Sequence, residues 1–243
     1  MTRSSLIAWQ YHTIKIAIDM REDLLREQLA YYRARAQEYD ASLQLDQGAG
    51  EPGDRPEAHE RSLAVRALQS LKPCSQALEL AGGTGIWTKE LLSIATRITV
   101  LDGSPEMLAI NKAKLADRRV SYECIDLFAW EPGPTYDLVF FAFWLSHVPP
   151  ERLDAFLGKV SRAVRPGGLV FIFDEPAGGR QLSGPSPADM VQQRTLEDGR
   201  TFNIVKAYYD PLMIQARLQK LGFVSGALVV GDYFFHLVSQ RQG

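Results

Sequence analysis

Residues 77–88 read Ala77-Leu78-Glu79-Leu80-Ala81-Gly82-Gly83-Thr84-Gly85-Ile86-Trp87-Thr88, and no other segment constrains the architecture as strongly. A short apolar run enters a turn that holds three glycines, and a helix-compatible run resumes at Ile86. Glycine admits positive φ and close backbone approach, so the segment predicts a buried strand, a tight loop and a helix N-terminus. That loop would lie at the carboxyl end of a strand, where open α/β sheets bind ligands. Outward from here the chain alternates. β-rich runs are expected at Ser75–Leu80, Arg97–Asp102, Val120–Ile125, Asp137–Phe141 and Leu169–Asp174, each separated from the next by a helix-length amphipathic stretch. Such alternation implies βαβ crossovers and a parallel sheet covered on both faces. Pro105 after Ser104 opens one helix, Pro149-Pro150 opens another, and Arg165-Pro166-Gly167-Gly168 closes it.

The flanks break the pattern. Ser4–Ala41 has helical periodicity, Asp46–Pro56 is a Gly/Pro/Asp connection, and Glu57–Leu71 resumes a helix that Pro73 stops. Towards the C-terminus, Val191–Glu197 and Arg200–Tyr208 flank Asp198-Gly199, a two-residue hairpin turn. A helix over Leu212–Leu221 ends at Gly222. Phe223–Val230 and Tyr233–Ser239, joined at Gly231-Asp232, predict a final antiparallel pair.

Composition narrows the classes. The 243 residues are 46% hydrophobic and 23% charged, as in an ordinary globular protein, and fit one domain. With 27 basic and 29 acidic residues the net charge is −2, which disfavours nucleic acid as a partner. The longest apolar run, Leu138 to Leu145, is far below a bilayer span, and residues 1–20 lack a leader's continuous apolar core. Cys74 and Cys124 have no metal-ligand spacing and read as reduced thiols, so the expected compartment is the cytoplasm. His12, His59 and His236 have no companion ligands, and no metal site is expected.

The identity of the ligand turns on charge. Gly83-x-Gly85 puts Thr88 where a dinucleotide fingerprint wants its third small residue. Glu79 would repel a pyrophosphate but attract an ammonium group. A nicotinamide-dependent oxidoreductase therefore stands as the less favoured enzyme reading.

Glu79 to Gly85, E-L-A-G-G-T-G, resembles the first motif of the class I S-adenosylmethionine-dependent methyltransferases, D/E-x-G-x-G-x-G, with Ala81 where the first glycine usually stands. The element order from Ser75 to Arg241 resembles that family too. The resemblance implies a Rossmann-like doubly wound α/β sheet, mostly parallel, with a C-terminal antiparallel pair, N-terminal helices and an inserted β-hairpin. The expected divisions are a helical cap and linker (1–73), a cofactor-binding core (74–176), a hairpin or lid (177–209) and a C-terminal helix with a strand pair (210–243). S-adenosylmethionine becomes the expected cofactor and S-adenosylhomocysteine its product. It implies that Glu79, Ala81, Gly82, Gly83 and Gly85 form the cofactor loop. Asp102, 17 residues after Gly85 and followed by Gly103, would accept both ribose hydroxyls, although nicotinamide enzymes place a carboxylate similarly. Met107 matches the position against the adenine face. Asp126 resembles the residue that accepts the adenine amino group, with the Leu127 amide beside it, and also suits a turn cap. Phe141 ends the fourth strand on the cofactor side. Tyr32, Arg35 and Tyr39 share one helical face in a segment similar to the family's closing helix. Arg35 there suits the cofactor carboxylate and a tyrosine suits the sulfur, while aromatic packing on a solvated helix fits the same pattern.

The acceptor side, Phe140 to Pro149, lacks the [D/N/S]-P-P-[Y/F] motif of amino-methyltransferases acting on bases or glutamine. An aromatic, largely apolar pocket is expected, with Phe143, Trp144, His147, Asp174 and Glu175 facing the acceptor. His147 is the candidate general base, or else a pocket-lining residue before Pro149. The expected activity is methyl transfer to a small molecule, at a hydroxyl oxygen ahead of nitrogen or carbon, by a monomer or homodimer without nucleic acid or membrane. A non-catalytic S-adenosylmethionine-binding protein carries the same cofactor motifs.

Overall fold

Strands that are buried on both faces are mostly apolar, and β4, and β1 apart from Glu79, obey this at their carboxyl ends. Ala77–Leu80 and Leu138–Phe141 are all buried. The computed structural model describes residues 21–41, 55–180 and 190–243. The N-terminal part of the Ser4–Ala41 helix, most of the Asp46–Pro56 connection and 181–189 of the expected lid lie outside the described residues.

In chain order the elements are α1 (21–35), with a further helical stretch at 39–41, then α2 (Pro56–Gln69), β1 (Cys74–Leu80), α3 (Ile86–Leu91), β2 (Ala95–Asp102), α4 (Pro105–Leu115) and β3 (Val120–Cys124). They continue as β4 (Tyr136–Ala142), a 3-10 turn (Leu145–His147), α5 (Pro150–Ala163), β5 (Val164–Asp174), the hairpin β6 (Val191–Thr195) and β7 (Thr201–Val205), α6 (Pro211–Lys220), β8 (Phe223–Val230) and β9 (Phe235–Arg241). Seven strands form one sheet in the order β3-β2-β1-β4-β5-β9-β8, while β6 and β7 form a separate pair. The β3 to β5 strands run parallel, and β9 is antiparallel to both of its neighbours. The chain order reverses between β1 and β4, which opens a crevice outside their carboxyl ends.

Helix ends follow local chemistry. The Ser104 hydroxyl accepts from the Met107 amide at 3.1 Å, and Asp210 accepts from the Leu212 amide at 2.9 Å, each just before a proline at N1. On α5 the residues Leu153, Phe156, Leu157 and Val160 form the buried stripe against the sheet.

Two expectations shift. Arg165-Pro166-Gly167-Gly168, read as a helix terminus, lies inside β5, which begins at Val164 directly after α5. The β4–β5 register slips between Tyr136 and Leu138, so the Pro-Gly stretch is absorbed as an irregularity beside the pairing of Tyr136 with Val164. The hairpin is also shorter than its β-prone runs, ending at Thr195 and Val205, because Leu196, Lys206 and Ala207 turn inward to pack.

The hairpin and α1 meet each other. Glu27 accepts from the Asn203 amide at 2.7 Å, and Gln28 Oε1 accepts from the Val205 amide at 3.0 Å. Tyr31, Leu196 and Ile204 form a small apolar cluster with Tyr32 and Phe202 against it. α1 also docks on the end of β2, where a Cβ on Gly103 would stand 2.8 Å from Leu29 Cδ1. Among the described residues, no helix is long and apolar enough to cross a membrane.

Candidate active site

The carboxyl ends of the central strands open into a cavity of about 450 Å³, roofed by α1 and the hairpin, with a smaller annex beside the glycine turn. The turn needs its glycines at two places. Gly85 starts α3 at φ +91°, and a Cβ there would meet Asn111 Oδ1 at 2.5 Å. A Cβ on Gly82 would meet Val100 Cγ1 at 2.2 Å. Ala81 adopts φ +55° and Gly83 +51°, so the alanine is held in the left-handed region at a cost of roughly 1–2 kcal/mol.

Asp102 ties this turn to the next strand. Its Oδ2 accepts from the Gly83 amide at 2.9 Å and its Oδ1 from the Ser104 amide at 2.8 Å. Each carboxylate oxygen has two acceptor positions, so both keep capacity toward the cavity that Asp102 lines. Burial pushes its pKa up, against those hydrogen bonds. Gly103, Met107, Asp126 and Leu127 line the same end. Asp126 also accepts from the Phe128 amide at 2.9 Å, so cavity lining and turn capping coexist in one side chain.

Glu79 behaves differently from expectation. It is buried beneath the turn, outside the residues that line either the cavity or its annex, and Thr88 Oγ1 donates to Oε2 at 2.6 Å. Desolvation raises its pKa to about 8 against that hydrogen bond, so at neutral pH the carboxyl is mostly protonated and presents no charge to a ligand. The folded state then holds a proton that the unfolded chain releases near pH 4.5. Stability from this group is complete below that pH and is lost as pH rises through about 8, by on the order of a few kcal/mol. Glu79→Gln should remove this slope: urea midpoints at pH 6 and 8.5 should converge relative to the parent, and parallel curves for the two proteins would refute the protonated state.

Three other expected site residues sit elsewhere. Phe141 points into the core, with its ring 5.4 Å from Phe156, because alternate β4 positions face the opposite helix layer. Gly85 caps α3 and lines neither the cavity nor its annex. Asp174 lies below the floor, where it accepts from the Ser146 and Glu175 amides at 3.1 and 2.8 Å and so positions that loop. Glu175 itself lines the cavity, paired with the buried ammonium of Lys206. Phe143, at φ +54°, and Trp144 line it as expected.

At the roof, Tyr32 and His147 meet at 2.7 Å between the phenol oxygen and Nε2. His147 Nδ1 lies 2.7 Å from the Val205 carbonyl, which can only accept, so Nδ1 carries a proton, and in the neutral ring Nε2 accepts from the Tyr32 hydroxyl. The neutral ring is the favoured form of His147. Burial holds its pKa well below the usual histidine value, and the positive charges of Lys206, Arg194 and Arg35 add to this. Burial raises the Tyr32 phenol well above its usual range. Arg35 lies over the rings of Tyr31 and Tyr39, at 5.6 and 5.0 Å from their centroids.

The motifs missed Arg61 on α2, Arg194 on β6 and Lys206 just after β7, which line the cavity. Nothing in their local sequence marks them. Among the described residues, five buried side-chain polar atoms have no hydrogen-bond partner, and three of them, Arg61 Nε, Trp144 Nε1 and Arg194 Nε, belong to cavity-lining residues. All three are donors.

A family model described as a methyltransferase domain matches residues 77–168. The solved structure described as a DhpI-SAH complex is 36% identical over 90% of this chain and 97% of its own, with a TM-score of 0.74. A DhpI-SAM-HEP complex is 38% identical with the same coverage and TM-score. N-terminal Xaa-Pro-Lys N-methyltransferase 1 of Mus musculus is 34% identical over 109 residues, 42% of this chain and 48% of that protein. The chain spans about half the length of the curated relatives it matches.

Proposed function

The chain belongs to the class I S-adenosylmethionine-dependent methyltransferases, and from that membership we propose that it transfers a methyl group to a hydroxyl oxygen of a small-molecule acceptor, leaving S-adenosylhomocysteine. The observation that carries this reading is the Tyr32–His147 pair in the same cavity as the glycine turn and Asp102.

The lining fits the cofactor. Asp102 offers acceptor capacity for two ribose hydroxyls, and Met107, Asp126 and Leu127 form an edge for a purine. The unpartnered Nε of Arg61 lies beside Gly82 and Gly83, where an amino-acid carboxylate would complete it. When bound, the cofactor supplies a methyl group on a sulfonium, which departs as a neutral thioether.

This chain's own residues handle the proton. Tyr32 takes the acceptor's hydroxyl proton on its phenol oxygen as it passes its own proton to His147 Nε2. With the acceptor oxygen freed of its proton, the positive charge that the sulfonium would lose on methyl transfer would come to rest on the His147 imidazole. Because His147 is neutral well below its usual range, kcat/KM should stay level from pH 8 down past 6.5; an acid limb centred near 6.5 would remove His147 from this role. A roof of α1 and the hairpin over the cavity favours alignment of the reactants, which supplies much of the rate in an in-line displacement. It also favours a small acceptor over a polypeptide, although curated relatives act on protein N-termini.

Equilibrium dialysis tests the cofactor: S-adenosylmethionine should be retained and NAD should not, and retention of NAD alone or of neither sinks the reading. Release of S-adenosylhomocysteine across matched hydroxy and amino acceptors, with an Xaa-Pro-Lys peptide beside them, then tests the hydroxyl. Turnover of amines alone overturns that part.

A further inference from the structure

Of the charged residues that line the cavity, Arg152 is paired with Glu22 and Arg26 with Asp23, and Arg61 lies by the glycine turn; the others fall into two groups. Asp102 and Asp126 lie at the end assigned to nucleoside. Around Tyr32 and His147 the charges are positive: Arg35, Arg194 and Lys206 all act on the histidine ring. Lys206 is paired with Glu175, and Arg35 lies over Tyr31 and Tyr39. Arg194 differs from both. Among the described residues its side chain has no ion pair or hydrogen bond, and its Nε is buried with nothing to receive the proton. A guanidinium left so costs free energy unless a ligand completes it. The cofactor carboxylate is poorly placed to do so, because the annex beside the glycine turn contains Arg61 and not Arg194. Trp144 Nε1, a second orphaned donor, lines the acceptor side of the same cavity.

We propose that the acceptor is a small hydroxy compound bearing an oxyanion, of carboxylate or phosphate type, and that Arg194 receives that oxyanion. This rests on the reading of the cavity as a methyl-transfer site. It replaces the largely apolar acceptor that the aromatic stretch from Phe140 suggests, since Phe143 and Trp144 form a wall while the hairpin supplies the charge. The chemistry is consistent: proton transfer leaves an imidazolium on His147 amid cations, and an oxyanion beside it offsets that charge. Holding the anion at a fixed point on the hairpin also orients the hydroxyl towards Tyr32, and a planar guanidinium is suited to that task.

The test uses the full chain loaded with S-adenosylhomocysteine, followed by calorimetric titration with glycolate, 2-hydroxyethyl phosphate, inorganic phosphate and ethylene glycol. At least one anion should bind saturably and ethylene glycol should not, and comparison of the glycolate and phosphate arms separates the two oxyanion types. Arg194→Gln should weaken anion binding at least tenfold while affinity for S-adenosylhomocysteine stays within twofold. Arg200→Gln, at the exposed hairpin turn, should change neither. The proposal is overturned if no anion binds, if ethylene glycol binds as tightly as its anionic counterparts, or if Arg194→Gln leaves anion affinity within twofold. Failure of the parent protein to bind S-adenosylhomocysteine brings down the methyl-transfer reading, and this proposal with it; intact binding with any of the other failures brings down this proposal alone.

Discussion

His147→Gln should lower kcat by roughly 10²- to 10⁴-fold, the usual contribution of a positioned general base, with cofactor affinity within twofold of the parent. The histidine is held from both ring nitrogens, by Val205 on one side and Tyr32 on the other, so its replacement removes the terminal proton acceptor and one tie to the hairpin. Those two effects must be separated. Tyr32→Phe keeps the ring, the helix and the His147–Val205 contact but removes the hydroxyl that carries the proton. It should therefore lose kcat to a similar extent, with KM little changed. Full activity of Tyr32→Phe beside a dead His147→Gln would make the histidine a structural tie for the roof. Full activity of both would mean that the acceptor arrives already ionised.

The second large effect is expected at Asp102. Asp102→Ala should weaken S-adenosylmethionine binding by about 1–3 kcal/mol from hydrogen bonds to a charged group, and it also releases the Gly83 and Ser104 amides. Asp102→Asn keeps one carbonyl oxygen and should fall between the parent and the alanine variant. Dialysis or calorimetry reads the affinities, and a melting curve without ligand separates loosening of the turn from loss of the ribose contact. An affinity unchanged in Asp102→Ala would take this carboxylate out of the site.

Glu79 shows how a correct motif can mislead about mechanism. Its position before the glycine turn was legible, and its charge was the argument for an ammonium-bearing ligand. The structure puts it beneath Gly82 against Thr88, where desolvation leaves it mostly neutral near pH 7. The motif marks a residue that supports the turn from below. Phe141 is a similar case: alternation along β4 sends it to the core, and its neighbours Ala142 and Phe143 line the cavity.

What the chain reveals before folding is whatever depends on neighbours in sequence. The period of apolar residues marks the strands of the central sheet, proline and a capping residue mark where α4 and α6 start, and the glycine turn and Asp102 follow from strand ends a few residues away. What only folding settles is set by partners far apart in the chain. Tyr32 meets His147 across 115 residues, Gln28 meets Val205 across 177, and Lys206 meets Glu175 across 31. No periodicity encodes such pairs, because each depends on how α1 and the hairpin pack over the sheet. The tautomer of His147, the protonation of Glu79 and the unpartnered donors of Arg61 and Arg194 all follow from that packing, since burial removes the water that would otherwise satisfy these groups.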